Sequence, residues 1–143
     1  MNEPFDDDFI SILLKLSVPK IKIQVFDIDE KILEICSEFG IMTKNVDVTK
    51  SYKIGKLYGF YTNPPYTFNG AKKFIESGLK GFGKKGGLAF IILGPELLNN
   101  RLSLLQNFFA EKKLVILDYY APLIHRMKIN YQEDKDIIGK LKK

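Results

Sequence analysis

The sequence has very little of the residue chemistry on which many enzymes and metal proteins depend. Its 143 residues include one cysteine, Cys36, one histidine, His125, and no tryptophan. A single cysteine cannot form an intramolecular disulfide, and neither residue alone can hold a metal ion. A histidine-centred catalytic triad is poorly supported, and we predict no metal site. Cys36 lies on the apolar face of a predicted helix, so we interpret it as a core residue.

Long hydrophobic runs and a basic leader are also missing. The longest apolar stretch, residues 86–95, is shorter than the roughly 20 residues that a membrane-spanning helix needs. The first nine residues, MNEPFDDDF, are acidic and lack the basic and apolar regions of a secretory signal. Together with the single cysteine, these features predict a cytoplasmic protein with no membrane partner.

The remaining composition is that of an ordinary globular domain, with 45% hydrophobic and 27% charged residues. The length predicts a single domain over residues 1–143. Charge is uneven, because residues 1–47 hold ten carboxylates and five lysines, whereas the rest holds 17 basic and seven acidic residues. A solvated lysine-rich surface is the simpler interpretation of the basic part, and nucleic-acid binding is the functional one.

Hydrophobic periodicity predicts helices that alternate with strands. The helices are expected at 9–18, 30–39, 67–80 and 95–110, and the strands at 21–27, 41–48, 57–62, 88–93, 114–120 and 123–129. This order predicts an α/β fold with a mostly parallel sheet and helices on both faces. The last two strands follow each other directly, which predicts an antiparallel C-terminal edge. The fully apolar strand at 88–93 is expected in the buried centre of the sheet.

Acidic residues end two of the predicted strands, at the edge where a parallel sheet binds its ligands. Asp27 is a candidate acceptor for the hydroxyl groups of a ribose, and a turn role is the alternative. Asp29 is the predicted N-cap of the next helix, and Gly40 is expected just past its end. Asp47 is a candidate acceptor for an adenine amino group, although a lone aspartate at a strand end is usually a turn residue.

The tetrapeptide Asn63-Pro64-Pro65-Tyr66 follows the third predicted strand directly. Two prolines remove two backbone donors and stiffen the loop. The backbone carbonyls and the Asn63 side chain then form a fixed array of acceptors for an amine, and Tyr66 can lie against a flat or cationic group. A rigid turn from strand to helix is the alternative interpretation.

Three consecutive aspartates, Asp6, Asp7 and Asp8, precede the first predicted helix. Carboxylates in this position cap a helix and complement its dipole. The functional alternative is an acidic pocket for a polyamine or ammonium substrate, in which one carboxylate acts as general base.

These motifs together resemble a known family. The tetrapeptide 63–66 is similar to motif IV of S-adenosylmethionine-dependent amino methyltransferases. The wider pattern, over about residues 5–120, resembles the branched-chain polyamine synthases, which are N4-bis(aminopropyl)spermidine synthases. The family's three aspartates match residues 6–8, and its strand ending in Asp-Ile-Asp-Glu matches residues 27–30. Its Thr-Asp-Pro-Pro-Tyr-Thr motif matches residues 62–67, with Asn63 in place of aspartate.

The resemblance implies a Rossmann-like methyltransferase fold, decarboxylated S-adenosylmethionine as co-substrate and a polyamine such as spermidine as acceptor. It implies that Asp7 and Asp8 form an acidic gate between donor and amine, and that Asp6 binds the donor. In the same way, Asp27 would hold the ribose, Asp47 the adenine, and residues 63–66 the acceptor nitrogen. Assembly of the chain into a homo-oligomer is a further prediction to be tested.

The sequence also departs from the family pattern. Phe5 stands where the family has a glycine that permits close backbone approach, and Asn63 removes a negative charge that would face a cationic substrate. Residues 1–4 are too short for the central strand that should precede the aspartates, so we expect an N-terminally truncated domain. We then expect a gap between the strands ending at Asp27 and Thr62. These strands pair directly, or another chain fills the gap, or the chain is a truncated or decayed relative.

Three functions stay open at this point. Aminopropyl transfer, with full, reduced or no activity, is favoured by the three aspartates. N-methyl transfer from intact S-adenosylmethionine to adenine or another amine is favoured by Asn63 and by the basic remainder of the chain. A non-catalytic remnant of the fold is favoured by Phe5 and the missing strand. The length leaves no obvious target-recognition domain for an enzyme that acts on DNA.

Overall fold

A computed structural model describes residues 9–94, 97, 99 and 101–118. Its elements are α1 (Ile10–Ser17), β1 (Gln24–Asp27), α2 (Glu30–Glu38), β2 (Met42–Asn45), β3 (Gly59–Thr62), α3 (Phe68–Leu79), β4 (Leu88–Ile91) and α4 (Leu102–Glu111). Each of them coincides with a predicted element of the same type, with ends that differ by up to several residues. The chain is therefore an α/β protein, as its periodicity predicts.

The described strands form two separate parallel sheets of two strands each. β1 pairs with β2, with Phe26 opposite Lys44, and β3 pairs with β4, with Tyr61 opposite Phe90. Parallel pairing is thus confirmed. β1 and β3 do not pair with each other in the described residues, so direct pairing across the expected gap is wrong. The strand order of a complete methyltransferase sheet stays a prediction.

The described residues divide into two compact units, one within 9–65 and 69–92, and the other within 66–68 and 93–118. One core cluster of the first unit forms where α2 packs on β1 and β2. Its buried members are Val25, Ile32, Leu33, Cys36 and Ile41. Cys36 is fully buried, with its Sγ 3.6 Å from Ser11 Oγ, which confirms it as a core residue. The single domain stays a prediction.

Local signals set both ends of α2. Asp29 Oδ1 accepts hydrogen bonds from the backbone N–H groups of Lys31 at 2.9 Å and Ile32 at 3.5 Å. These bonds satisfy donors that a helix start leaves unpaired, so the predicted N-cap is confirmed. Gly40 follows the helix with a φ of 72°, in the left-handed region that glycine adopts without a Cβ clash.

The start of α1 differs from the prediction. Its N-cap is Phe9, which has a φ of 52° and provides no side-chain cap. The aspartates 6–8, which the sequence predicts as caps, lie outside the described residues. None of the helices in the described residues is long and apolar enough to cross a membrane.

The prediction that β4 is fully buried is wrong. Leu88 and Phe90 are 52% and 61% exposed. Both side chains project to the same face of the strand, because they are two residues apart. In the described residues β4 has only β3 as a neighbour, whereas a central strand would be flanked on both sides.

Two further predictions fail toward the C-terminus. The helix expected over 95–110 does not run unbroken, because Arg101 is the N-cap of α4 and lies outside helical geometry. Residues 114–118 form no strand, and Val115 and Leu117 are each 78% exposed. The rest of the predicted antiparallel edge lies outside the described residues.

Candidate functional site

Asp27 ends β1 with its side chain buried. The residue is 1% exposed, and its Oδ1 accepts a hydrogen bond from the backbone N–H of Asp29 at 2.8 Å. This contact shapes the turn from β1 into α2, in the manner of an Asx turn. A carboxylate accepts up to about four hydrogen bonds, so the bond from Asp29 alone does not use its full capacity.

Asp47 lies beside Asp27 at the carboxyl edge of the same sheet. The backbone N–H of Val46 donates to the Asp27 carbonyl at 3.0 Å, which joins the ends of β1 and β2. Asp47 Oδ1 accepts from Thr49 Oγ1 at 2.6 Å and from Thr49 N at 2.9 Å, and Oδ2 lies 3.6 Å from Lys50 Nζ. The hydrogen bonds from Thr49, and to a lesser extent Lys50, lower the pKa of Asp47 below its ordinary 3.8.

These contacts have two consequences for Asp47. The turn role that the sequence left open is present, because Thr49 is held by the carboxylate. The same hydrogen bonds favour the ionised form, and the side chain keeps 36% of its surface exposed. Asp47 is therefore an ionised, accessible acceptor adjacent to Asp27.

The end of β3 carries two buried polar atoms with no hydrogen-bond partner in the described residues, Thr62 Oγ1 and Asn63 Oδ1. The backbone carbonyl of Thr62 does have a partner, since it accepts a hydrogen bond from Ile92 N at 2.9 Å. Most buried polar groups in native proteins are hydrogen-bonded, and an unsatisfied one costs about 1–3 kcal/mol. An amide oxygen in this state is suited to accept a hydrogen bond from an amine ligand.

The two prolines continue this acceptor-rich loop. Pro64 is buried and Pro65 is half-buried. Because proline has no N–H, residues 64 and 65 offer carbonyl oxygens and no backbone donor. The loop therefore suits a hydrogen-bond donor such as an amine better than an anion.

Tyr66 belongs to the second unit, where it is 42% exposed. A Cβ added at Gly94 would collide with the Tyr66 ring, so glycine lets the ring lie against the backbone. Sequence reasoning missed this role of Gly94. The available signal was a glycine directly after the apolar strand at 88–93.

The structure brings only part of the predicted site together. It places Asp27 and Asp47 side by side after β1 and β2, it places Asn63, Pro64 and Pro65 after β3 in the same unit, and it places Tyr66 in the other unit. Asp6, Asp7 and Asp8 lie outside the described residues. Thr62, which the sequence analysis matched to the family motif without giving it a role, has a buried hydroxyl directly before Asn63.

The described residues contain no group of three or more histidine, cysteine, aspartate or glutamate side chains that could hold a metal ion. The described residues form an α/β fold with polar groups at the carboxyl ends of its parallel strands. This is the edge at which α/β folds bind ligands.

Comparison with known proteins identifies the class more closely. The model of the branched-chain polyamine synthase A C-terminal domain matches residues 5–142. The chain therefore belongs to the branched-chain polyamine synthase A C-terminal domain family, which confirms the family that the motifs suggest.

A protein of Methanocaldococcus jannaschii, named only as uncharacterized, is 27% identical over 148 aligned residues. The match covers 94% of this chain and 34% of that protein, so the chain spans about a third of the relative's length. No solved structure matches the chain significantly.

Proposed function

We propose that the chain transfers an aminopropyl group from decarboxylated S-adenosylmethionine to a nitrogen of a polyamine such as spermidine, giving a branched polyamine. Family membership supports polyamine synthesis as the process. The observation that carries the proposal is the buried Asn63 Oδ1, which has no hydrogen-bond partner in the described residues.

On the acceptor side, the attacking nitrogen must be neutral, because only then is its lone pair available to form a bond. Asn63 Oδ1 would accept an N–H of this amine and fix the direction of its lone pair. The prolines at 64 and 65 keep competing backbone N–H donors away from that oxygen. Tyr66 would lie against the aliphatic or cationic part of the polyamine.

In the transfer step, the nitrogen lone pair forms a bond to the methylene carbon next to the sulfonium. The carbon–sulfur bond breaks and its electron pair stays on sulfur, which leaves as a neutral thioether. The nitrogen then carries an extra proton, which a carboxylate removes. By family resemblance, we assign the removal of this proton to Asp7 or Asp8.

On the donor side, Asp27 and Asp47 support binding of the adenosine part through ribose hydroxyls and the adenine amino group, and we assign Asp6 to the same donor site. The carboxylates also attract a sulfonium cation. The intact methionine moiety carries an additional carboxylate, which these aspartates would repel. The acidic residues therefore favour the decarboxylated donor.

We also propose that the chain forms a single domain with the Rossmann-like methyltransferase fold. Two parallel strand pairs support it, since each pair is joined by a connection that contains a helix, α2 between β1 and β2, and α3 between β3 and β4. The separation of the two pairs is consistent with the absence of the family's central strand from the described residues.

The test is product analysis by mass spectrometry with the full chain, decarboxylated S-adenosylmethionine and spermidine. We expect a branched polyamine, and we expect Asn63→Ala to lower kcat/KM about tenfold, which corresponds to the loss of one hydrogen bond. Asn63→Asp restores the family carboxylate and should retain activity. Asn69→Ala, a change at an exposed asparagine on α3, is the matched control.

Two results would contradict the proposal. One is the absence of aminopropylated product from the wild-type chain. The other is an Asn63→Ala variant whose kcat/KM equals that of the Asn69→Ala control.

N-methyl transfer is the second candidate, and the neutral amide of Asn63 favours it. Residues 63–66 are similar to motif IV of amino methyltransferases, so Asn63 is compatible with both chemistries. The same assay with intact S-adenosylmethionine distinguishes them, because a methylated rather than an aminopropylated amine would appear.

A further inference from the structure

A basic surface lies at the amino ends of β3 and β4, at the opposite edge of the sheet from Asn63. Its four exposed lysines are Lys56, Lys80, Lys84 and Lys85, and we call them the lysine surface. The sequence from 48 to 95 contains eight lysines and a single acidic residue, Glu76. The positive charge of this part of the chain is therefore not balanced locally.

Backbone hydrogen bonds hold the two lysine-bearing segments side by side. Leu57 N donates to Gly81 O at 2.8 Å, and Leu88 N donates to Tyr58 O at 3.1 Å. Because β3 and β4 are parallel, the segments that precede them emerge at the same edge of the sheet. The lysines of both segments consequently share one side of the first unit.

A tight turn presents two of these lysines at its tip. Gly86 N donates to Gly83 O at 2.9 Å, which leaves Lys84 and Lys85 as the central residues of the turn. Gly86 has a φ of 70°, a conformation that suits glycine. Space around Gly83 and Gly86 is open, so a ligand can approach the backbone between the ammonium groups.

In the part of the chain that the structure describes, none of the four ammonium groups of the lysine surface forms an ion pair. An aromatic side chain lies within the surface. Tyr58 is 81% exposed, and Lys56 Nζ lies 5.4 Å from the centre of its ring. Exposed aromatic rings among cations are the feature on which single-stranded nucleic acids stack their bases.

We propose that the lysine surface binds single-stranded polynucleotide, with the ammonium groups along the phosphates and a base stacked on Tyr58. Lysines act as point charges without a fixed fork of donors, so this binding is expected to show little sequence preference. An acidic polypeptide would use the charges but not the exposed ring. The proposal is independent of the proposed transfer reaction, because it involves the other edge of the sheet.

The experiment is fluorescence anisotropy of a labelled oligouridylate with the full chain, titrated at several salt concentrations. Four phosphate contacts predict a slope of log K against log salt of about −2.8 for a single strand. A variant carrying Lys56→Glu, Lys84→Glu and Lys85→Glu should bind at least about tenfold more weakly, with the slope reduced to about −0.7.

The matched control makes the same charge change in the acidic part of the chain, at the exposed residues Lys20, Lys22 and Lys31. This Lys20→Glu, Lys22→Glu, Lys31→Glu variant should lose much less affinity than the first. Both variants should keep the wild-type circular dichroism spectrum and aminopropyl transfer, so a failure of binding is distinguishable from a failure of the reaction.

The ring is tested separately. Tyr58→Ala should weaken binding about tenfold, whereas Tyr58→Phe should bind like the wild type.

Three results would overturn the proposal. The first is the absence of binding at about 50 mM salt, where phosphate contacts are strong. The second is equal loss of affinity in the two triple variants. The third is equally tight, Tyr58-independent binding of polyglutamate, which would show a surface for acidic polypeptides.

Discussion

Asp27 and Asp47 follow neighbouring strands, yet their carboxylates lie in different surroundings. Asp27 is almost fully buried and accepts a backbone hydrogen bond, whereas Asp47 is partly exposed and binds Thr49. The sequence predicts their positions, because strand ends can be read from periodicity. It does not predict their surroundings, because burial depends on residues distant in the chain.

The hydrogen bonds from Thr49 make the contribution of Asp47 to stability depend on pH. They lower its pKa in the folded state below 3.8, so the ionised carboxylate stabilises the fold at neutral pH. This stabilisation is lost as pH falls through the lowered pKa. Urea unfolding should therefore show Asp47→Asn to be less stable than wild type at neutral pH, with a difference that shrinks below about pH 4. A difference that stays constant across this range would contradict the assignment.

Gly94 provides a second test at single-residue scale, because any side chain there collides with the Tyr66 ring. We expect Gly94→Ala to displace the ring and to raise the KM for the polyamine several-fold. The matched control is Gly83→Ala, since the space around Gly83 is open. Equal KM values for the two variants in a steady-state assay would show that the position of Tyr66 is unimportant for the acceptor.

Helices and strands were predictable where their signals are local. Asp29 and Gly40 mark the two ends of α2, because a cap and a left-handed glycine act within a few residues of the helix. The interruption at Arg101 and the lack of a strand over 114–118 were not predictable from the same signals. A strand requires a pairing partner, and an apolar segment such as 114–118 does not by itself show whether that partner is present.

The packing of α3 on β3 gives a test at the scale of elements. A Cβ at Gly78 on α3 would collide with the Phe60 ring on β3. Overpacking of this kind costs about 1–3 kcal/mol, while alanine gains about 1 kcal/mol of helix propensity. We therefore expect Gly78→Ala to lower the free energy of unfolding, measured by urea denaturation.

A second substitution separates the collision from other effects of the alanine. Phe60→Leu removes the ring with which the new Cβ collides. The loss in free energy of unfolding caused by Phe60→Leu should therefore be smaller in the Gly78→Ala variant than in the wild-type chain. Additive effects of the two substitutions in the double-mutant cycle would contradict the packing account.

For the whole molecule, the motifs predicted the family, and the family model confirms it over nearly the entire chain. The described strands form two separate sheets, so β1 and β3 do not pair with each other there. The motifs left this open, because pairing between β1 and β3 is a long-range property. The candidate site is divided in the same way, with the carboxylates of Asp27 and Asp47 after one sheet and Asn63 after the other.

The central claim is that this chain uses a decarboxylated sulfonium donor in polyamine synthesis. Calorimetric titration of the full chain with decarboxylated S-adenosylmethionine, and separately with S-adenosylmethionine, tests it most directly. The account predicts binding of the decarboxylated donor at least about tenfold more tightly, since the aspartates repel the additional carboxylate. Tighter binding of intact S-adenosylmethionine, or binding of neither compound, would contradict it.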